Sequence, residues 1–299
     1  IVTVMWERIR TAIILLVIVG VAMFATREPI LMLPLLLVGA GFGAFEWSKL
    51  MPSLEQNPDS YVPPTTQMPT KPAKPIDYMY TLVMLGIVSV LLVMAKLTGS
   101  IASWVFFWLV AALIWLVAIG WIRRYPNNTQ AWYGKHLYII GMIILSSAIT
   151  AMYYLWSLSA WWLLYVFVLV WCADSGAYFV GRKLGRRKMS PHVSPNKSVE
   201  GLLGGLATGT LVVIGVSFGL LNDWSMTAIG VFLLLSLLTI IMSVFGDLFE
   251  SMLKRHAGVK DAGALLPGHG GILDRIDSQL SAVPIFALGF WAMKFYGLI

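Results

Sequence analysis

Charge is what this sequence has least of. Only 12% of its 299 residues are Asp, Glu, Lys or Arg, while 59% are hydrophobic and the mean hydropathy is +0.81. Soluble domains carry roughly 25% charged residues, so the scarcity excludes a soluble globular enzyme and defines a polytopic integral membrane protein. Cysteine is scarcer still. The single Cys172 lies inside an apolar run, which excludes a disulfide framework. Alternation of polar and apolar residues is absent from the long hydrophobic stretches, which excludes a transmembrane β-barrel. The GxxxxGK[ST] pattern is missing, so there is no P-loop, and the lack of a soluble reading domain argues against a nucleic-acid partner. The first apolar stretch, Ile9 to Ala25, has positive flanks but no convincing small-residue cleavage site. Another apolar run follows at once, so it reads as a membrane helix rather than a signal peptide.

What is present is a series of apolar runs. A spanning helix needs roughly 20 such residues, and nine candidates occur at about 9–25, 30–48, 78–96, 101–122, 137–155, 160–180, 201–221, 226–246 and 279–297. The expected fold is therefore all-α, with about nine transmembrane helices. Basic residues are one-sided. With nine spans, 18 of the 21 Lys and Arg fall on the side of the N-terminus and of the even-numbered loops; Arg27, Lys96 and Lys294 are the others. The positive-inside rule then makes that side cytoplasmic. Residues 51–76, with Pro52, Pro58, Pro63, Pro64, Pro69, Pro72 and Pro75, read as an extended cytoplasmic linker without chemistry. The 13 Trp and 11 Tyr suit an interfacial aromatic belt. Residues 1–155 read as membrane scaffold and 156–299 as the chemically active part, because nearly all polar motifs lie in the latter.

The densest motif runs from Gly246 to Asp277. It holds five of the chain's 14 acidic residues (Asp247, Glu250, Asp261, Asp274, Asp277) together with Lys254, Arg255, Lys260, Arg275, His256 and His269. A charged block wedged between membrane helices is costly and reads as a site rather than a spacer. Helix eight is expected to overrun the apolar core, placing Asp247, Glu250, Ser251 and Lys254 on one face at i, i+3, i+4 and i+7. The turn Pro267-Gly268-His269-Gly270-Gly271 lets the backbone approach a ligand and can expose N–H groups to an anion. Asp274, Asp277 and Ser278 then open helix nine. Asp247 and Asp274 brought together would form a hard-oxygen site suited to Mg²⁺. Neighbouring Lys and Arg suit phosphate. That combination is what phosphoryl or nucleotidyl transfer requires; the alternative is a solvated loop whose charges pair with one another.

A second motif runs from Asp174 to Gly205. Asp174 sits within an apolar run and reads as a buried membrane carboxylate, either functional or bonded to a neighbouring helix. Tyr178 and Arg182 follow on the same face. Ser194, Lys197 and Ser198 precede a Gly-flanked helix start able to hold phosphate. Arg182, Lys183, Arg186, Arg187 and Lys188 serve as a topology signal or as a lipid-phosphate contact. Glu46, near the end of helix two, is expected to snorkel or to pair with Lys49.

The run Ser251-Met-Leu-Lys254-Arg255, Lys260-Asp261, Leu266-Pro267-Gly268-His269-Gly270-Gly271-Ile-Leu-Asp274-Arg275-Ile-Asp277 resembles the signature of phosphatidate cytidylyltransferases (CDP-diacylglycerol synthases) across 27 residues. The Asp174–Tyr178 segment and Ser194–Gly201 resemble a second segment of that family, with Ser198 where Thr is usual and Val199 where an aromatic is common. The resemblance implies transfer of cytidylyl from CTP to phosphatidate, giving CDP-diacylglycerol and pyrophosphate with Mg²⁺, and allows a second cation and a homodimer. It implies catalytic roles for Asp247, Asp274, Lys260, Asp261 and His269, and metal contacts for Asp247, Asp274 and Asp174. Arg182, Ser194, Lys197, Ser198, Ser251, Lys254, Arg255, Gly270, Gly271 and Arg275 would bind substrate. A bacterial inner membrane is the expected location, with N-terminus and active site cytoplasmic. A CDP-alcohol phosphotransferase would show a DGxxAR pattern, which is missing. A transporter would scatter polar groups near the midplane of several helices, whereas here they gather at helix ends.

Overall fold

The structure is a computed structural model that describes residues 2–51, 72–127, 132–266 and 269–299. Its helices, in chain order, are α1 (Val2–Phe24), α2 (Met32–Leu50), α3 (Pro75–Thr98), α4 (Ala102–Arg124), α5 (His136–Leu158), α6 (Ala160–Leu184), α7 (Val199–Leu220), α8 (Met226–Ala257) and α9 (Leu273–Phe295). Each expected apolar run lies within, or within a few residues of, one of these helices. Among the described residues seven helices, α3 to α9, are long and apolar enough to cross a membrane. The expected nine spans are not all met by that measure: the apolar part of α1 is Ile9–Phe24, and α2 ends in Glu46, Trp47, Ser48 and Lys49. Most of the Pro-rich linker, residues 52–71, lies outside the described residues, as do Pro267 and Gly268.

Local chemistry sets the helix ends. Pro75 opens α3, where a missing N–H costs nothing, and Asp77 accepts the Lys74 N–H at 2.7 Å. Ser198 caps α7 by accepting the Gly201 N–H at 3.1 Å, and Ser225 caps α8 through the Ala228 N–H at 3.1 Å. Gly258, in the left-handed region at φ 74°, stops α8. Between α6 and α7 the chain forms a short antiparallel hairpin, β1 (Lys188–Ser190) with β2 (Ser194–Ser198). Glu200 fastens it by accepting the Arg186 and Arg187 backbone N–H groups at 3.0 and 3.1 Å and Arg187 Nε at 3.1 Å.

The hairpin returns α7 tightly onto α6. A Cβ on Gly205 would lie 2.8 Å from the Ala173 carbonyl, and one on Gly176 would overlap Thr208. Small residues let helices approach closely where lipid offers no hydrophobic drive for association. Gly205→Ala is therefore expected to lower stability by about 1–3 kcal/mol, the usual cost of overpacking. Gly215→Ala, with nothing within 4 Å, should leave it unchanged; thermal unfolding in detergent compares the two.

The core is more aromatic than an interfacial belt suggests. Trp47, Trp108, Trp115 and Trp132 are fully buried. Phe249 on α8 packs on Trp115 at 5.5 Å and on Trp47 and Trp121 at 6.2 Å. A buried indole N–H usually finds an acceptor, though Trp115 and Trp132 have none among the described residues. Trp47 donates to the Leu137 carbonyl at 3.1 Å, Trp108 to Thr150 at 3.1 Å, and Trp156 to the Met23 carbonyl at 3.0 Å.

Candidate active site

One end of the bundle gathers the C-termini of α2, α4, α6 and α8 and the N-termini of α3, α5, α7 and α9. Ser48 donates to Asp77 at 2.8 Å, joining α2 to α3. Tyr133, just before α5, donates to the Leu50 carbonyl at 3.2 Å. Burial pushes the Tyr133 hydroxyl well above the ordinary phenol range, so it stays a donor. His256, at the end of α8, packs on Tyr133 with ring centroids 3.9 Å apart. These ties hold the helix ends that present the charged residues.

Helix α8 overruns the apolar core as expected. Its 32 residues extend about 48 Å at 1.5 Å per residue, against a hydrocarbon layer of about 30 Å. The overrun carries two charged groups. The first is open: Asp247, with its side chain 32% exposed, pairs with Lys197 of β2 at 2.5 Å and accepts the Ser251 hydroxyl at 3.1 Å. The second is closed: Lys254 bridges Glu250 and Asp274, each at 2.6 Å, and both carboxylates are almost wholly buried. Of the four residues expected on one face, Asp247 and Ser251 therefore look outward, and Glu250 and Lys254 look into the protein. Lys254 links the groups, since its charge also reaches Asp247.

Asp274 is fully engaged. Beyond Lys254, it accepts the Ala262 N–H at 2.9 Å and the Gly271 N–H at 2.8 Å. The turn before α9 is correspondingly occupied. Gly271, the last residue of the expected anion-facing turn, donates to Asp274, and beyond it Ile272 and Leu273 donate to Glu46 at 3.2 and 2.7 Å. Glu46 does not snorkel, and although the Lys49 charge reaches it, no close ion pair joins the two among the described residues. Glu46 is 3% exposed and seals the start of α9. Gly270, at φ 81°, returns the chain by accepting the Leu266 N–H at 2.8 Å.

The remaining expected residues differ in their exposure. Lys260, Asp261, Arg182 and Arg275 are exposed, and Arg182 donates to Tyr178 at 3.1 Å as their shared face requires. Ser194 opens β2, and the Ser198 hydroxyl is taken up as the α7 cap. Arg255 Nε and His269 Nδ1 are enclosed without a hydrogen-bond partner among the described residues. Asp174 lies on an uncovered face of α6, within electrostatic reach of Lys197 and Asp247.

Asp277 lies outside the set of residues expected to hold a metal. It stands one turn beyond Asp274, where α8 and α9 touch: a Cβ on Gly246 would lie 2.5 Å from the Asp277 carbonyl oxygen. Its carboxylate interacts electrostatically with Asp247. The i, i+3 spacing from Asp274 was the available signal. Among the described residues no three His, Cys, Asp or Glu side chains form a preformed metal cage. The donor chemistry nonetheless fits a hard cation. Asp247 is about a third exposed, Asp277 and Asp174 are within its electrostatic range, and hard divalent ions keep several water ligands rather than an all-protein shell.

Fold and site together define a polytopic membrane protein with a carboxylate- and lysine-rich centre at one end of its bundle, a constellation suited to transfer between phosphates. The chain belongs to the Cytidylyltransferase family, whose sequence model it matches over residues 6–293. Over 129 residues it is 56% identical to a phosphatidate cytidylyltransferase of Haemophilus influenzae, covering 42% of this chain and 44% of that protein. It is 41% identical over 187 residues to that of Pseudomonas aeruginosa, covering 62% and 68%, and 48% identical over 126 residues to that of Bacillus subtilis, covering 41% and 45%. The matched stretch thus spans less than half the length of the Haemophilus and Bacillus relatives.

Proposed function

We propose that this protein transfers the cytidylyl group of CTP to phosphatidate, releasing pyrophosphate and leaving CDP-diacylglycerol in a bacterial inner membrane, with its site on the cytoplasmic side. The observation that carries this reading is the Lys197–Asp247 pair standing beside Lys254 and Asp274 at the end of a membrane bundle. A lipid phosphate and a water-soluble nucleotide can meet at that depth. The names of the relatives supply the substrate class.

In the proposed reaction an oxygen of the lipid phosphate attacks the α-phosphorus of CTP, and the bond to the β-phosphate oxygen breaks. No general base is needed, because a phosphate monoester is already anionic at pH 7. Asp247 and Asp277 are the residues proposed to hold Mg²⁺, with Asp174 alongside; the ion would neutralise triphosphate charge. Lys197, Arg255 and the exposed cations Arg182, Lys260 and Arg275 draw the two anions together. Lys254 and Asp274 keep the turn between Ala262 and Gly271 in place, so the carboxylate next to it on α9, Asp277, has a fixed position. Residues 156–299 are the proposed catalytic part.

The test is pyrophosphate release by the purified protein in detergent, with CTP, phosphatidate and Mg²⁺. Release that needs all three is the expected result. Folded protein that stays inactive over several phosphatidate chain lengths sinks the reading.

A further inference from the structure

We propose that Glu46, on α2, is a positioning residue for the C-terminal signature, acting through the first turn of α9; the inference rests on the transfer reaction proposed above. A helix leaves its first N–H groups without partners, and the residue before α9, Ile272, has no side chain that can cap it. The missing cap comes from 227 residues away. Glu46 accepts the Leu273 N–H at 2.7 Å and the Ile272 N–H at 3.2 Å. A carboxylate at a helix N-terminus also meets the positive end of the dipole.

The fit is specific. A Cβ on Gly263 or on Gly271 would overlap the Glu46 carboxylate, so two glycines of the signature region are the walls of its pocket. Glu46 itself is fixed by its neighbours. Trp47 donates to the Leu137 carbonyl, Ser48 to Asp77, and Tyr133 to the Leu50 carbonyl, which leaves the end of α2 little freedom. What Glu46 holds is the segment that positions the site. Gly271 donates to Asp274, Asp274 holds Lys254, and Asp277 follows one turn later. A shift of about 1 Å in such a segment can cost about 100-fold in turnover.

The experiment compares the parent with Glu46→Ala and Glu46→Gln in detergent. It records kcat and KM for CTP, the thermal midpoint, and hydrogen exchange of peptides spanning residues 262–276. In Glu46→Ala, exchange there should rise about tenfold or more, as expected for lost bonds to a charged acceptor. In the same variant kcat should fall by about 100-fold while KM for CTP stays near the parent value. Glu46→Gln keeps one acceptor oxygen and should lie between. Unchanged local exchange overturns the cap. Raised exchange with parent-like kcat, or a Gln variant no better than Ala, overturns the positioning role. If Glu46→Ala does not fold, Gly263→Ala crowds the intact carboxylate from the other side; parent-like kcat in that variant also overturns the role. An inactive parent with raised exchange in Glu46→Ala removes the functional reading and leaves the cap standing.

Discussion

Asp247→Asn should cut CTP- and phosphatidate-dependent pyrophosphate release by about 100-fold or more, the scale for removing one charge from a preorganised site, and leave stability almost unchanged. The substitution is isosteric and can still accept the Ser251 hydroxyl. It loses the charge that pairs with Lys197. Both partners are a quarter to a third exposed, and exposed pairs contribute about 0–1 kcal/mol, so the fold should not register the change. Activity should, because Asp247 is partly open, unlike Glu250 and Asp274, which protein contacts close off. The measurement is turnover beside the thermal midpoint in one detergent. Parent-like turnover would remove Asp247 as an essential group.

Lys254→Met should behave in the opposite manner, as a loss of stability first. Methionine replaces much of the apolar stem but leaves Glu250 and Asp274, whose side chains are 1% and 4% exposed, without their shared cation. Breaking a buried pair on one side costs about 3–5 kcal/mol, because the remaining charge stays unpaired in the interior. Glu250→Gln added to Lys254→Met should restore part of that loss. Unfolding curves for the parent, the single and the double variant decide it. A single variant within about 1 kcal/mol of the parent would show that the pairing contributes little, as at exposed sites.

The sequence exposed the parts of this protein that follow from length and sign. Apolar runs locate the helices because a span has a minimum length, and the surplus of α8 announces that Asp247 to Lys254 stand beyond the apolar layer. The signature between Ser251 and Asp277 pointed to the family that the chain belongs to. What stayed hidden depends on partners distant in sequence. A lone Glu46 beside Lys49 at a helix end looks like any snorkelling carboxylate; only the fold brings it to Leu273. The glycines near His269 suggested open N–H donors, whereas Glu46 and Asp274 fill that space. The hairpin around Pro191 and Pro195 is too short for a strand period to show. Trp47 and Trp115 look like belt residues until Phe249 is seen to pack on both.

Glu46 and the two glycines around it make a plug and socket contributed by opposite ends of the chain. Segments exchanged between family members must therefore travel as matched sets. A chimera that imports a tail with Ala or Ser at position 263 or 271 would meet a plug too long for its socket. It would recover only if residue 46 were shortened as well, so the first helices and the last are constrained to change together.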